Sequence, residues 1–172
     1  MASEGLSSMT VTQSTEELFV TTALKSWDQW VGRTSQFFDS LSDEAMLTEV
    51  APGKNRAIYL LGHLLVVNDT MIPLLRLGEA SYAHLRPAFL DNPDRAIAEL
   101  PPLTELRQNW KDLNERLNTL FAQLTPAEWL EPHSAVSEED FAREPHRNRL
   151  GVFLSRVSHT AYHFGQLRLL PR

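Results

Sequence analysis

Two histidines stand four residues apart near the end of the chain, in the run Ser158-His159-Thr160-Ala161-Tyr162-His163-Phe164-Gly165-Gln166. On an α-helix, positions i and i+4 lie one above the other on the same face, so both imidazoles can reach one cation. Metal sites that stay open for chemistry commonly take three protein ligands and leave a position free. A third ligand is offered by His63, inside the apolar run Ile58-Tyr59-Leu60-Leu61-Gly62-His63-Leu64-Leu65-Val66-Val67. The spacing therefore points to His63, His159 and His163 meeting in a helical core around one divalent ion.

A lone histidine in an apolar helix is ordinarily a core residue satisfied by one hydrogen bond. Two features favour the ligand reading. His63 sits where the local pattern wants a core side chain, and an imidazole buried without a partner costs about 1–3 kcal/mol. His159, His163 and Gln166 lie within about 60° of one another around a helix. They make a polar stripe on a helix whose other face, Leu150, Phe153, Leu154, Val157 and Ala161, is apolar.

The rest of the composition narrows the chemistry. The chain has no cysteine, so a metal must rely on histidine, carboxylate or water. Its net charge of −6 gives no basic footprint for nucleic acid and fits a cytoplasmic protein without a membrane partner. No signal-peptide pattern is visible from Met1 to Thr12, and no apolar run is read as reaching the ~18 residues of a membrane span. At 172 residues one domain is expected: a flexible segment over 1–13 and a helical domain over 14–172.

Four amphipathic segments must position the histidines. The first covers 14–41, with Ser14 and Glu17 as a capping box and a stripe through Trp27, Trp30, Phe37 and Phe38. The second covers 55–77, with Asn55 as N-cap, a break expected between Asp69 and Pro73, and Gly78 as the stop. The third covers 103–124, where Leu106, Trp110, Leu113, Leu117, Leu120 and Leu124 alternate steps of four and three. The fourth covers 148–170. Residues 79–102 form a proline-rich link with short turns expected at 82–90 and 94–100, long enough to run the length of a bundle and leave helices two and three parallel. In the link 126–147, His133 and His146 stand among prolines and charges and read as solvated. A weak echo joins Leu41-Ser42-Asp43-Glu44 before Asn55-Arg56 to Leu124-Thr125-Pro126-Ala127-Glu128 before Asn148-Arg149. The fold class is thus all-α, a four-helix bundle. The aromatics of helix one exceed what one stripe buries, so a homodimer through helix one or the heptad face of helix three is expected.

The segments Leu60-Leu61-Gly62-His63-Leu64 and His159-Thr160-Ala161-Tyr162-His163-Phe164-Gly165-Gln166 resemble those of the DinB/YfiT-like superfamily of metal-dependent enzymes. The resemblance runs from about residue 14 to 170. It implies an up-down-down-up bundle with a nickel or zinc ion on His63, His159 and His163. It also implies a thiol-dependent S-transferase or isomerase, or a hydrolase, acting on a small-molecule substrate with a low-molecular-weight thiol as co-substrate. The other class of function weighed is a non-catalytic, stress-associated metal-binding dimer. Arg56, Arg149 and Arg156 are candidate anion contacts, although each reads more simply as a solvated charge.

Overall fold

The computed structural model describes residues 13–170. Among them the regular structure is helical, with two isolated antiparallel bridges and no strand. Helix α1 (Thr15–Ser40) opens on the expected capping box. Ser14 Oγ accepts from Glu17 N at 3.1 Å, and Glu17 Oε2 accepts from Ser14 N at 2.7 Å. Its inward stripe is Val20, Ala23, Trp27, Val31, Thr34 and Phe38. The four aromatics expected to be in surplus are not exposed: Trp27 and Phe38 are buried, and the half-buried Trp30 and Phe37 pack on Phe164 with ring centroids 6.0 Å away. The exposed apolar residues of α1 are Leu18 and Phe19, one turn from its start. The flexible lead-in read over 1–13 lies outside the described residues except for Gln13.

After the single-turn α2 (Asp43–Met46), the second long helix, α3 (Ala57–Asp69), is capped by Arg56 rather than Asn55. The reason is a bridge between Glu49 and Arg56, which holds the backbone extended one residue longer than the side-chain signal suggests. The helix breaks at Thr70, as the proline ahead requires, and a last turn, α4 (Met71–Leu74), carries Pro73. Gly78 is not the stop. Arg76 takes the left-handed conformation (φ 58°), and Leu77 N donates to Ile72 O at 2.8 Å, closing the helix three residues earlier. Contrary to the sequence reading, Ala57–Leu74 is long and apolar enough to meet the criteria for a membrane span. However, 78% of it is buried inside the protein, so its hydrophobicity is used by the core.

The link after α4 doubles back along α3. At the C-terminal end of α3 the buried Asp69 carboxylate accepts from Ser81 N (3.0 Å) and Tyr82 N (2.7 Å). In the middle α5 (Arg86–Phe89), which follows a 3₁₀ turn at Ala83–Leu85, drops Phe89 onto Gly62. Further back the Tyr59 hydroxyl donates to Asn92 O at 2.8 Å. At the N-terminal end Arg56 forks onto Asp94 at 2.7–3.2 Å. No helix forms over 94–100, where the chain is committed to this clamp.

Helix α6 (Leu103–Phe121) buries Leu106, Trp110, Leu113 and Leu117, each contributing about 1.5–3 kcal/mol by leaving water. Its heptad seam is therefore used within the chain. Trp27 Nε1 donates to Asn118 Oδ1 (3.2 Å), Trp110 Nε1 to Ser35 Oγ (2.8 Å), and Arg107 to the carbonyls of Phe38 and Leu41. Two short helices follow, α7 (Pro126–Trp129) and α8 (Glu138–Arg143), before α9 (Arg149–Leu167), capped by Asn148 and ending three residues short of 170.

The echo in the sequence is structural. Each half runs long helix, capped single turn, antiparallel bridge, long helix. Ser42 caps α2 and Thr125 caps α7, and Glu49 bridges Arg56 as Pro132 bridges Asn148. Ala57 N donates to Thr48 O and Arg149 N to Glu131 O at matching places. From these caps His63 is seven residues into its helix and His159 eleven, one helical turn further on the same face.

Candidate metal centre

The three histidines come together across α3 and α9. Nε2 of His159 stands 3.3 Å from Nε2 of His63 and 3.0 Å from Nε2 of His163, and one ring nitrogen from each lies within 4.8 Å of the other two. Nitrogens about 2.0–2.1 Å from one ion at tetrahedral angles stand about 3.3 Å apart. The two spacings to His159 are of that size. His163 is buried, while His63 and His159 keep partial exposure.

The outer ring nitrogens decide which way the lone pairs face. His63 Nδ1–H donates to the Phe89 carbonyl at 2.9 Å. His163 Nδ1–H donates to Gln166 Oε1 at 2.7 Å, and Gln166 is oriented in turn by donating to the Tyr162 hydroxyl at 3.0 Å. Both rings therefore turn an unprotonated Nε2 inward. His159 Nε2 faces both, and a single proton there cannot serve two acceptors. Were that proton present, His159 Nδ1 would be a buried lone pair with no protein partner, and it has none. A cation on the three inner nitrogens removes the competition at Nε2 and puts the His159 proton on Nδ1, which has no protein partner in either state; at the inner nitrogens the donor set fits a metal.

The electrostatics agree. Burial, then the neighbouring rings of His163 and His63, then Arg156, push the His159 pKa down to about 4. Burial also lowers His63 and His163, against the opposing pull of the hydrogen bonds to Phe89 and Gln166. All three imidazoles are neutral near neutral pH, the form that ligates.

A family model described as the DinB superfamily matches residues 27–167, a span that runs from Trp27 of α1 to the end of α9 and takes in all three histidines. The chain belongs to the DinB superfamily. No curated protein matches the sequence. In this DinB-superfamily chain the three histidines singled out by spacing are the ones the fold brings together.

The other candidates separate. Arg56 and Arg149 are not solvated charges: Arg56 is clamped by Asp94, and Arg149 is buried against Glu131 at 3.0 Å. Arg156, on α9 one turn before His159, makes no ion pair among the described residues, and its Nε is buried without a hydrogen bond. His146 is exposed, but His133 is half-buried and lines a cavity. Sequence reasoning missed Phe89, whose carbonyl fixes His63. The only local signal for its position is Gly62: a Cβ there would fall well under 3.0 Å from the Phe89 ring, so glycine lets the link lie directly on α3.

Proposed function

We propose that this chain is a metal-dependent enzyme in which His63, His159 and His163 hold one divalent ion, nickel or zinc, at the core of an up-down-down-up four-helix bundle spanning 14–172. The observation that carries the proposal is the convergence of three Nε2 atoms, two of them turned inward by hydrogen bonds on the far side of their rings. The bundle order is supported by the pairings Trp27–Asn118, Ser35–Trp110 and Phe38–Arg107, which step in opposite directions along α1 and α6, and by the link that runs back along α3.

A divalent ion on three neutral imidazoles keeps its full charge and can lower the pKa of a thiol or water. The chain's own part is to hold the ligands pre-oriented through Phe89 and Gln166 and to leave His63 and His159 partly open to a small substrate. The reaction class these features favour is transfer from a low-molecular-weight thiol, isomerisation with such a thiol, or hydrolysis, in a cytoplasmic setting and without nucleic acid or membrane partners.

The test is metal analysis of protein purified without chelator or nickel resin, followed by a turnover screen of common thiols against electrophiles. About one bound nickel or zinc per chain, lost when His163 is replaced, is the expected result. A chain that takes up neither ion at neutral pH would overturn the reading.

One observation favours a homodimer, the assembly that the second reading, a non-catalytic metal-binding protein, requires. Leu18, Phe19, Leu130 and Leu154 are exposed, and Phe19, Leu130 and Leu154 line an apolar groove of about 470 Å³ between the start of α1, α7 and α9. Light scattering at micromolar concentration tests it. A dimer that dissociates on Phe19→Glu supports it, and a monomer throughout removes it.

A further inference from the structure

Arg156 presents the feature in this fold that the metal reading does not use. It faces a cavity of about 360 Å³ between the end of α4, the link before α9 and the first two turns of α9. Leu74 and Val152 give the cavity an apolar floor, and its charged or titratable lining is Arg156, Arg147, His133 and His146, with no carboxylate. Arg147 is already paired with Glu144 (3.3 Å) and Asp140 (3.7 Å). Arg156 has no such partner among the described residues. Burial lowers its pKa, and no carboxylate offsets that effect. A half-buried guanidinium without a counter-ion is a standing cost to the fold. Arginine's planar fork of donors suits a carboxylate or phosphate.

His133 adds a second donor. Its Nδ1 accepts from Ala135 N at 3.2 Å, which leaves the proton of the neutral ring on Nε2. Burial, then the charges of Arg147 and Arg76, keep that ring neutral by lowering its pKa.

The cavity is also placed to serve the metal centre. Val152, Arg156, His159 and His163 follow one another by four, three and four residues, so they lie along one stripe of α9. Arg156 is about 5 Å along the helix axis from His159 and about 10 Å from His163.

We infer that this cavity is the subsite for the oxyanion group, carboxylate or phosphate, of the small molecule whose other end reaches the three histidines, with Arg156 as its specificity-determining residue. The substrate class is an anionic small molecule with its reacting group and its charge about one to two helical turns apart. The part played by the metal end rests on the proposed function. Anion capture at Arg156 does not, because it requires no ion on the histidines.

The experiment is an NMR titration of ¹⁵N-labelled protein, metal-free and zinc-loaded in parallel, read at the Arg156 Nε–H resonance. Inorganic phosphate and acetate are the probes, and chloride controls for ionic strength. Saturable shifts with an oxyanion in both forms, unmatched by chloride, are expected, and the tighter of the two probes tells phosphoryl from carboxylate substrates. Arg156→Gln should weaken binding at least tenfold. Arg156→Lys should weaken it less, and Arg143→Gln, on the exposed face of α8, should leave it unchanged. The Arg156→Gln protein should melt no lower than wild type, since an unmatched charge has been removed.

Absence of a saturable shift in wild type, or equal binding by Arg156→Gln, overturns the inference. Oxyanion binding in a chain that takes up neither nickel nor zinc would leave the subsite standing and remove the metal reading instead.

Discussion

Replacing Gly62 with alanine tests how the site is held. Gly62 lies inside α3 directly before His63, and Phe89 is fully buried against it. In an ordinary helix interior Gly→Ala stabilises by about 1 kcal/mol. Here the new methyl would overlap the Phe89 ring, including its Cγ, and the ring is fully buried, so it must shift within the core. Overpacking of that kind costs about 1–3 kcal/mol, so the net effect is a loss of about 0–2 kcal/mol, or a melting point lower by up to about 8 °C. The larger effect falls on the site. Moving Phe89 shifts the carbonyl that accepts from His63 Nδ1, and loss of such an orienting bond typically weakens metal binding about 10–100-fold. Thermal melts of the metal-free protein and competition against a chromophoric chelator read the two effects separately. Adding Phe89→Leu should recover part of the stability, a coupling that a double-mutant cycle measures. A Gly62→Ala protein that melts higher than wild type and binds metal as tightly would refute the reasoning, since the link would then not be positioned by that contact.

Four further outcomes are expected. His163→Ala should abolish most metal uptake while leaving the far-UV circular dichroism unchanged, because the seams of α1, α3 and α6 lie elsewhere. The His159 pKa, about 4 in the fold against 6.5 ordinarily, means that the unfolded chain binds a proton the folded chain refuses between those values. Stability of the metal-free protein should therefore be unaffected by this group above about pH 6.5 and fall as the pH drops toward 4. The loss is at most about 3 kcal/mol, less the screening that partial exposure brings, and urea melts across that range measure it. The same depression, shared in direction by His63 and His163, should carry metal release below the pH near 6 at which ordinary imidazole lets go, as a chelator-competition pH series would show. Asp94→Asn should cost about 2–4 kcal/mol in urea denaturation, because it leaves the Arg56 charge largely buried without its partner; a loss under about 0.5 kcal/mol would mean the clamp is decorative.

Local periodicity determined much of this protein. The helix repeat is a property of a few residues in a row, so the His159–His163 pair, the Ser14–Glu17 box, the break before Pro73 and the end of α6 ahead of Thr125-Pro126 are all legible without a fold. The capping box of Thr125 and Glu128 was legible in the same way. It marks α7, whose Trp129 is fully buried although the stretch reads as an irregular link. Tertiary structure decided what depends on contacts between distant segments. His63 meets His159 across 96 residues, and only packing of α3 on α9 fixes that distance. The carbonyl that turns His63 inward comes from a proline-rich link whose path is set by Asp69, Gly62 and Arg56 together, not by its own sequence pattern. Three arginines look alike in the sequence. Asp94 and Glu131 neutralise two of them, and the third is left facing a cavity, because a charge finds its partner in space and not along the chain.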